Sequence, residues 1–247
     1  SLRSRYPLAL SAALCAVTLL VGAAIDSAIN DYDYLHGLYW DKTPVTAVGV
    51  DLCHDDVVIA LDKFFELPPP EPASPLRHAV LATANGEALP FPDRSFDRII
   101  CSEVLEHVPD PDLFLSEISR LLKPGGIFVA SVPRYWPEAI CWWLSPAYPR
   151  TPGGHVRIFR ESELKGAVEA RGLSFFHRHF AHGLHSPYWW LKCAVGVKRE
   201  DVKLVNLYKR FLEWDILQRP WLTRTLEKIA GPLMGKSVVL YFTKGAA

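Results

Sequence analysis

Short apolar runs alternate with amphipathic segments through the middle of the chain. Val45–Val50 and Ala79–Ala82 have the length and apolar character of buried strands, and Asp97–Ser102 and Ile127–Val132 repeat the pattern. Pro111–Leu122 carries apolar residues at helical spacing and predicts a helix. Strands that alternate with helices are typical of an α/β fold, in which helices cover both faces of a parallel sheet.

The alternation continues until the last third of the chain, where it changes. Asp55–Leu67 and Glu161–Arg171 predict helices, and Leu173–Phe180 predicts a strand. From about residue 186 to residue 233 the pattern is helical and rich in aromatic residues, and Ser237–Thr243 predicts a final strand. We therefore predict an open, doubly wound, Rossmann-like sheet with a helical aromatic insertion before its last strand.

This pattern divides the chain into four parts. Residues 1–44 form an apolar segment whose role the sequence does not fix, residues 45–185 form the core, residues 186–236 form the insertion, and residues 237–247 return to the core as the last strand. The insertion is interpreted either as a lid over a substrate or as packing against the sheet, and both interpretations stay open.

An almost continuous apolar run, Tyr6–Ile25, follows Arg3 and Arg5 near the start of the chain. Its length of about 20 residues just suffices for a transmembrane helix. Small residues near its end also allow a cleaved signal, and a helix buried against the sheet is the third alternative. A membrane contact through residues 6–25 is therefore left open.

The charge balance and the cysteine content limit the partners and metal sites that the sequence predicts. Lys and Arg together number 27, as do Asp and Glu, and this balance argues against nucleic acid as a main partner. The five cysteines are scattered without a CxxC pair, so neither a disulfide framework nor a zinc ribbon is predicted. No metal site is predicted, and a reducing cytoplasm is the simplest location, with membrane association left open.

An acidic residue ends the first predicted strand. In an open α/β sheet, a carboxylate at this position accepts hydrogen bonds from the two hydroxyls of a ribose lying across the strand ends. Asp51 occupies the position and Leu52 follows it. The alternative for Asp51 is that it caps the helix that follows.

A longer motif follows the second predicted strand. The segment from Ala84 to Asp97, ANGEALPFPDRSFD, resembles the GDA-x-x-LPF-x-D-x-SFD segment of class I S-adenosylmethionine-dependent methyltransferases, especially the small-molecule branch with the ubiquinone and menaquinone methyltransferases. The resemblance implies that Asn85 accepts a hydrogen bond from the adenine amino group and that the amide of Gly86 contacts the ring. The family usually has Asp where this chain has Asn85, which accepts the same bond without the help of a charge.

The third and fourth strands carry two more parts of the resemblance. The segment from Ile99 to Pro111, IICSEVLEHVPDP, is similar to the signature at the end of the family's fourth strand. The resemblance places Ser102 and Glu103 beside the methionine part of the cofactor and His107 near the adenine. The stretch Leu121–Gly126 resembles the family's turn into the next strand, where proline ends the helix and glycines permit the turn.

One family motif is missing. The resemblance implies a strand that ends in a glycine-rich loop about 20 residues before the acidic residue, where the backbone approaches the cofactor. Counting back from Asp51 leads to the segment INDYDY, residues 29–34, which contains no glycine. Either the N-terminal segment is therefore divergent, or the family's first strand is missing or replaced in this chain.

A histidine with a candidate catalytic role lies after the predicted fourth strand. The segment from Gly153 to Leu164, GGHVRIFRESEL, is similar to the H-x-R-x-F-x-x-x-E-L segment of many small-molecule methyltransferases, in which the histidine faces the acceptor. A neutral imidazole at His155 would accept the acceptor's proton as the methyl group arrives. The alternative is a histidine that only hydrogen-bonds within its loop.

These observations predict an enzyme that uses S-adenosylmethionine to methylate a small-molecule or lipid-like acceptor. The alternative is a non-catalytic methyltransferase-like protein that has lost cofactor binding, such as a membrane-tethered partner subunit. The sequence fixes neither the acceptor nor the oligomeric state.

Overall fold

The computed structural model describes residues 45–51, 76–151, 154–218 and 220–246. The predictions for residues 1–44, for Leu52 and for the helix Asp55–Leu67 lie outside these ranges, as does the side chain of Asp51. Among the described helices, none has the length and apolar character needed to cross a bilayer.

The described strands form two sheets. In chain order they are β1 Val45–Asp51, β2 Leu76–Thr83, β3 Phe96–Ser102, β4 Leu122–Pro133, β5 Leu173–Ala181 and β6 Ser237–Lys244. Strands β1 and β2 pair in parallel, and the other four pair in the order β3-β4-β6-β5. Each strand predicted from the sequence is present, and the crossovers within the second sheet agree with the predicted α/β architecture.

Helices connect the strands and fill the predicted insertion. They are α1 Pro111–Leu121, α2 Tyr135–Leu144, α3 Glu161–Glu169, α4 His185–Val195, α5 Lys203–Gln218 and α6 Trp221–Met234, with a 3₁₀ helix at Tyr148–Arg150. The last three helices occupy the stretch for which the sequence predicted helices, directly before β6. Helix α2 was not predicted.

Helix α1 shows why the sequence pattern is informative. The Asp110 carboxylate accepts hydrogen bonds from the backbone N–H groups of Asp112 and Leu113, both at 3.0 Å, and so caps the helix start. Pro111 follows at the first helical position, where its missing N–H costs nothing. The buried face consists of four apolar side chains: Phe114, Leu115, Ile118 and Leu121. Burying each side chain contributes roughly 1.5–3 kcal/mol.

The predicted turn at Lys123–Gly126 is wrong as a separate element, because β4 begins directly after α1, at Leu122. The glycines are still required by the backbone. Gly125 has a φ of +76°, in the left-handed region that favours glycine. At Gly126 a Cβ atom would lie 2.8 Å from the Lys123 carbonyl oxygen and 2.9 Å from that of Asp97.

The chain packs as two compact units. The first comprises the described residues up to Ala130 together with Ala167–Phe176 and the chain from Tyr241 onward, and the second comprises Ser131–Gly166 and His177–Leu240. The core of the first unit includes Phe128 and Phe242, whose rings stack with centroids 6.0 Å apart. In the second unit, α4 packs against both α2 and α5.

Candidate active site

Three of the predicted cofactor residues lie at or just after neighbouring strand ends in the first unit. Asp51 is the last residue of β1 and is paired in register with Thr83, the last residue of β2. Asn85 and Gly86 come directly after β2, in a turn. Because β1 and β2 are parallel, Asp51 and the Asn85 turn lie at the same edge of their sheet, as the sequence predicts.

The turn after β2 is fixed by its own hydrogen bonds. The Asn85 side-chain oxygen accepts from the backbone N–H of Glu87 at 3.0 Å, and the Asn85 carbonyl accepts from the N–H of Ala88 at 3.0 Å. An amide oxygen has two lone pairs, so one bond of this oxygen does not prevent a second bond to an amino group. The structure is therefore compatible with the role expected of Asn85.

A single arginine holds the rest of this loop against α1. Arg120 donates through Nη1 to the carbonyl of Phe91 at 2.9 Å and to the Asp93 carboxylate at 2.6 Å. Its Nη2 donates to the carbonyl of Leu89 at 3.2 Å and to the Glu117 carboxylate at 2.8 Å. The hydrogen bond from Arg120 lowers the pKa of Glu117, and the backbone N–H of Leu89, which donates to the same carboxylate at 3.1 Å, adds to the effect against the opposing effect of burial. The loop is thus positioned by α1.

Gly86 packs so closely against α1 that no side chain fits. A Cβ atom at Gly86 would lie 2.2 Å from the nearest atom of the Phe114 ring. We expect Gly86→Ala to lower the free energy of unfolding by roughly 1–3 kcal/mol, because the ring or the turn must move. The matched control is Gly166→Ala in α3, where a Cβ would meet nothing within 4 Å.

The control should raise the free energy of unfolding by roughly 0.5–1 kcal/mol, as expected for glycine replaced in an open helix position. Urea unfolding of both variants measures the difference. Equal stabilities for the two variants would show that Gly86 is not held against Phe114.

Three more of the predicted cofactor residues lie at or after the end of β3, also in the first unit. Ser102 ends the strand and is buried, and Glu103 has a φ of +54°, which is uncommon for a residue other than glycine. Such backbone conformations cluster at functional sites. His107 closes a turn with its N–H donating to the carbonyl of Val104 at 2.9 Å, and its Nε2 lies 3.9 Å from the buried Glu106 carboxylate.

His155 lies in the second unit and is paired with a buried carboxylate. Its Nδ1 is 2.6 Å from Oε1 of Glu138, with 15% of the histidine side chain exposed and none of the glutamate. A neutral imidazole that donates its Nδ1–H to the carboxylate has the basic lone pair on Nε2. This geometry is that of a histidine oriented by an acid.

Glu138 has two further partners. Lys236 forms an ion pair with Oε2, and the indole N–H of Trp142 donates to Oε1 at 3.2 Å. Burial alone would raise the pKa of Glu138, but the charge of Lys236 and the hydrogen bond with His155 outweigh it and lower the pKa to about 2. Burial likewise opposes the charge of Lys236, but its ion pair with the Glu138 carboxylate keeps its pKa above the ordinary value. Glu138 is therefore ionised at neutral pH.

Aromatic rings surround this cluster within the second unit. The Tyr148 ring contacts His155 edge-on at a centroid distance of 6.0 Å and lies 5.7 Å from the ring of Trp189. Burial raises the pKa of the Tyr148 hydroxyl, which stays neutral. Trp190 donates to the Pro137 carbonyl at 3.0 Å. Both insertion tryptophans thus pack on α2 and its neighbours, and a lid role for them stays a prediction.

The sequence patterns did not identify Glu138 and Lys236, although each residue carries a signal. Glu138 is the one charged residue in the aromatic and apolar segment Tyr135–Leu144. Lys236 stands between Gly235 and the apolar strand β6. A charge embedded in an apolar segment is buried only with a partner, so each residue indicates that a partner exists without identifying it.

The chain is similar in sequence to known methyltransferases. A family model described as a methyltransferase domain matches residues 34–177, more than half of the chain. The ubiquinone biosynthesis O-methyltransferase of Brucella anthropi is 36% identical over 99 residues, which cover 36% of this chain and 38% of that protein. A protein of Mycolicibacterium smegmatis described as an S-adenosylmethionine-dependent methyltransferase is 42% identical over 101 residues, covering 41% of this chain and 35% of that protein.

The fold has relatives among solved structures. A protein of Bacillus halodurans described as a methyltransferase superposes with a TM-score of 0.53 at 18% identity, covering 89% of this chain and 90% of the other. This agreement supports the Rossmann-like fold. The matched segments span less than two fifths of either curated relative named above.

Proposed function

Since the chain belongs to the class I S-adenosylmethionine-dependent methyltransferases, we propose that it methylates a small-molecule or lipid-like acceptor and that His155 takes the acceptor's proton. The observation that carries the acceptor side is the hydrogen bond between His155 and the buried Glu138. The relatives' names and the family support the cofactor.

The residues of the first unit fit the cofactor in their chemistry. A carboxylate at Asp51 suits the ribose hydroxyls, and the amide of Asn85 suits the adenine amino group. The left-handed backbone at Glu103 indicates a chain held in a special conformation where the methionine part is expected. The proposed cofactor residues are Asp51, Leu52, Asn85, Gly86, Ser102, Glu103 and His107.

The cofactor supplies a methyl group bound to a positively charged sulfur, which departs as a neutral thioether. The acceptor must lose a proton when it takes this methyl group. We assign that proton to Nε2 of His155, with Nδ1 held by Glu138. The carboxylate also stabilises the imidazolium that forms, since the pair is buried and unlike in charge.

An aromatic hydroxyl is the acceptor that best suits these surroundings. Tyr148 and Trp189 offer ring faces and edges beside His155 and Lys236. A phenol has an ordinary pKa near 10, within reach of a histidine base. The ubiquinone biosynthesis O-methyltransferases similar to this chain are named for oxygen as the methylated atom.

A second candidate is a methyltransferase-like protein that no longer binds the cofactor. It is favoured by the absence of glycine from residues 29–34, where the family's glycine-rich loop is expected. Such a protein would act as a partner subunit. Direct measurement of cofactor binding separates the two candidates.

We expect Asp51→Ala to weaken S-adenosylmethionine binding by roughly 1.5–3 kcal/mol, the range for hydrogen bonds that involve a charged group. Calorimetric titration of the full chain measures the affinity. The control is Asp201→Ala, an exposed carboxylate of the second unit paired with Arg199, which should leave the affinity unchanged. Equal affinities for wild type and Asp51→Ala would remove Asp51 from the site. No binding by the wild type would favour the partner subunit.

A further inference from the structure

Helix α5 exposes an apolar stripe on the side away from its packed face. Val205 and Leu212 are buried against Tyr188 of α4 and fix the helix in place. On another face, large apolar side chains recur at helical spacing and stand 48–76% exposed: Leu204, Leu207, Trp214 and Leu217. A stripe of this size on a packed helix indicates a binding surface.

Helix α6 repeats the arrangement. Its Glu227 carboxylate accepts from the backbone N–H of Leu184 at 3.1 Å and also from that of Gly183, and its Gly231 is buried. The opposite face carries residues spaced by three or four positions and 44–63% exposed: Leu222, Leu226, Ile229 and Leu233. Trp221, which is 78% exposed, begins the helix.

Positive charges accompany both stripes. Lys203 and Arg210 are exposed and fall at helical spacing with Leu207, Trp214 and Leu217. Lys228 is exposed on α6. Within the described part of the chain, none of the three cations has an ion pair or a side-chain hydrogen bond, whereas Lys209 of α5 lies 3.7 Å from Glu213. Each helix thus combines an exposed apolar stripe with an exposed tryptophan and with at least one cation that has no ion pair among the described residues.

We propose that the exposed stripes of α5 and α6 bind the surface of a membrane that contains anionic lipids. Apolar side chains would enter the boundary between headgroups and acyl chains, and the three cations would meet lipid phosphates. Tryptophan is favoured at this boundary because its ring is apolar and its N–H is polar. Such a surface would hold the enzyme where a lipid-like acceptor is dissolved.

Charge favours the membrane over a second copy of the chain. In a symmetric dimer the same face meets itself, so Lys203 and Arg210 would meet a surface of the same charge. The exposed acid nearest to them on α5, Glu213, already lies 3.7 Å from Lys209. Anionic headgroups neutralise the same cations at about 1 kcal/mol for each residue near the surface, which equals a roughly five-fold gain in partitioning.

Sedimentation with lipid vesicles tests the surface, with the full chain and neither cofactor nor acceptor present. We expect the wild type to bind vesicles of phosphatidylcholine and phosphatidylglycerol in equal parts. Leu207→Glu with Leu217→Glu on α5, or Leu226→Glu with Leu233→Glu on α6, should each lower partitioning about ten-fold or more. Leu113→Glu on α1 is the control, since it adds the same charge at an exposed leucine of another helix.

Replacing the cations provides a second test of the proposal. Lys203→Gln with Arg210→Gln should lower partitioning about 25-fold on the mixed vesicles and leave binding to pure phosphatidylcholine unchanged. The proposal would be overturned if the wild type did not bind the vesicles. It would also be overturned if the stripe variants bound as tightly as Leu113→Glu, because binding would then belong to another segment, such as residues 6–25. A wild-type dimer that Leu207→Glu converts to a monomer would make the face a contact between copies. None of these results depends on methyl transfer.

Discussion

Replacing His155 by alanine is expected to lower kcat for methyl transfer by about 100- to 10,000-fold, the usual contribution of a general base. The reason is the loss of the proton acceptor that Glu138 orients through Nδ1. Affinity for S-adenosylmethionine should change little, because His155 is not one of the residues proposed to hold the cofactor. Single-turnover kinetics with saturating cofactor measure the change.

Added imidazole distinguishes a base from a structural histidine. If His155 accepts the proton, free imidazole should restore part of the rate of His155→Ala and have no effect on the wild type. Stability should fall little, because Glu138 keeps Lys236 and Trp142 as partners. A variant with the wild-type rate would show that transfer proceeds by positioning alone, and His155 would then be a loop residue.

Replacing Glu138 by glutamine is expected to lower the free energy of unfolding by roughly 3–5 kcal/mol, the cost of leaving one member of a buried ion pair without its partner. Lys236 is buried and would face an uncharged amide in place of the carboxylate. Even with its oxygen kept towards His155 and Trp142, the new side chain would direct its NH₂ donor at the ammonium group. Thermal or urea unfolding measures the loss.

The double variant Glu138→Gln with Lys236→Met separates charge from shape. Removing both charges takes away the unpaired ammonium, and apolar replacement of a buried pair is often close to neutral, so the double variant should recover most of the lost stability. If Lys236→Met made the Glu138→Gln protein still less stable, the ion pair would not be the source of the effect.

The same pair makes stability depend on pH in a defined direction. The pKa of Glu138 in the folded protein, about 2, lies below the ordinary carboxyl value near 4.3. Its contribution is therefore complete above about pH 5 and is lost as the pH falls towards 2. Glu138→Gln lacks this carboxyl group. The difference in the free energy of unfolding between wild type and variant should therefore be largest at neutral pH and should shrink as the solution becomes acidic.

Local sequence signals predicted the helix α1 and missed the helix α2. In α1, a capping Asp110, a proline at the first turn and four buried apolar residues agree with one another. In α2 the buried residues are Pro137, Glu138 and Cys141, while Trp143 stands 80% exposed. A charged residue is thus buried and a large aromatic one exposed, which is the reverse of the usual amphipathic pattern. The reason is that the buried face of this helix holds one member of an ion pair.

The candidate site was predictable only in part, for a related reason. Asp51 was proposed because it ends a strand, whereas Asn85 and Ser102 were proposed from the resemblance to the methyltransferase family. The parallel pairing of β1 with β2 brings the first two to one edge. Glu138 and Lys236 are 98 residues apart and meet through the fold alone. A local pattern indicates that a buried charge needs a partner but does not identify it.

The most direct test of the central proposal is the transfer of label from S-adenosylmethionine carrying a radioactive methyl group to a lipid-tailed phenol or catechol. We expect the wild type to move label into the organic phase as a methyl ether, and the amount to fall about 100-fold or more in His155→Ala. Cofactor binding without transfer to any aromatic hydroxyl would contradict the proposed acceptor. Transfer that persists unchanged without His155 would contradict the proposed base.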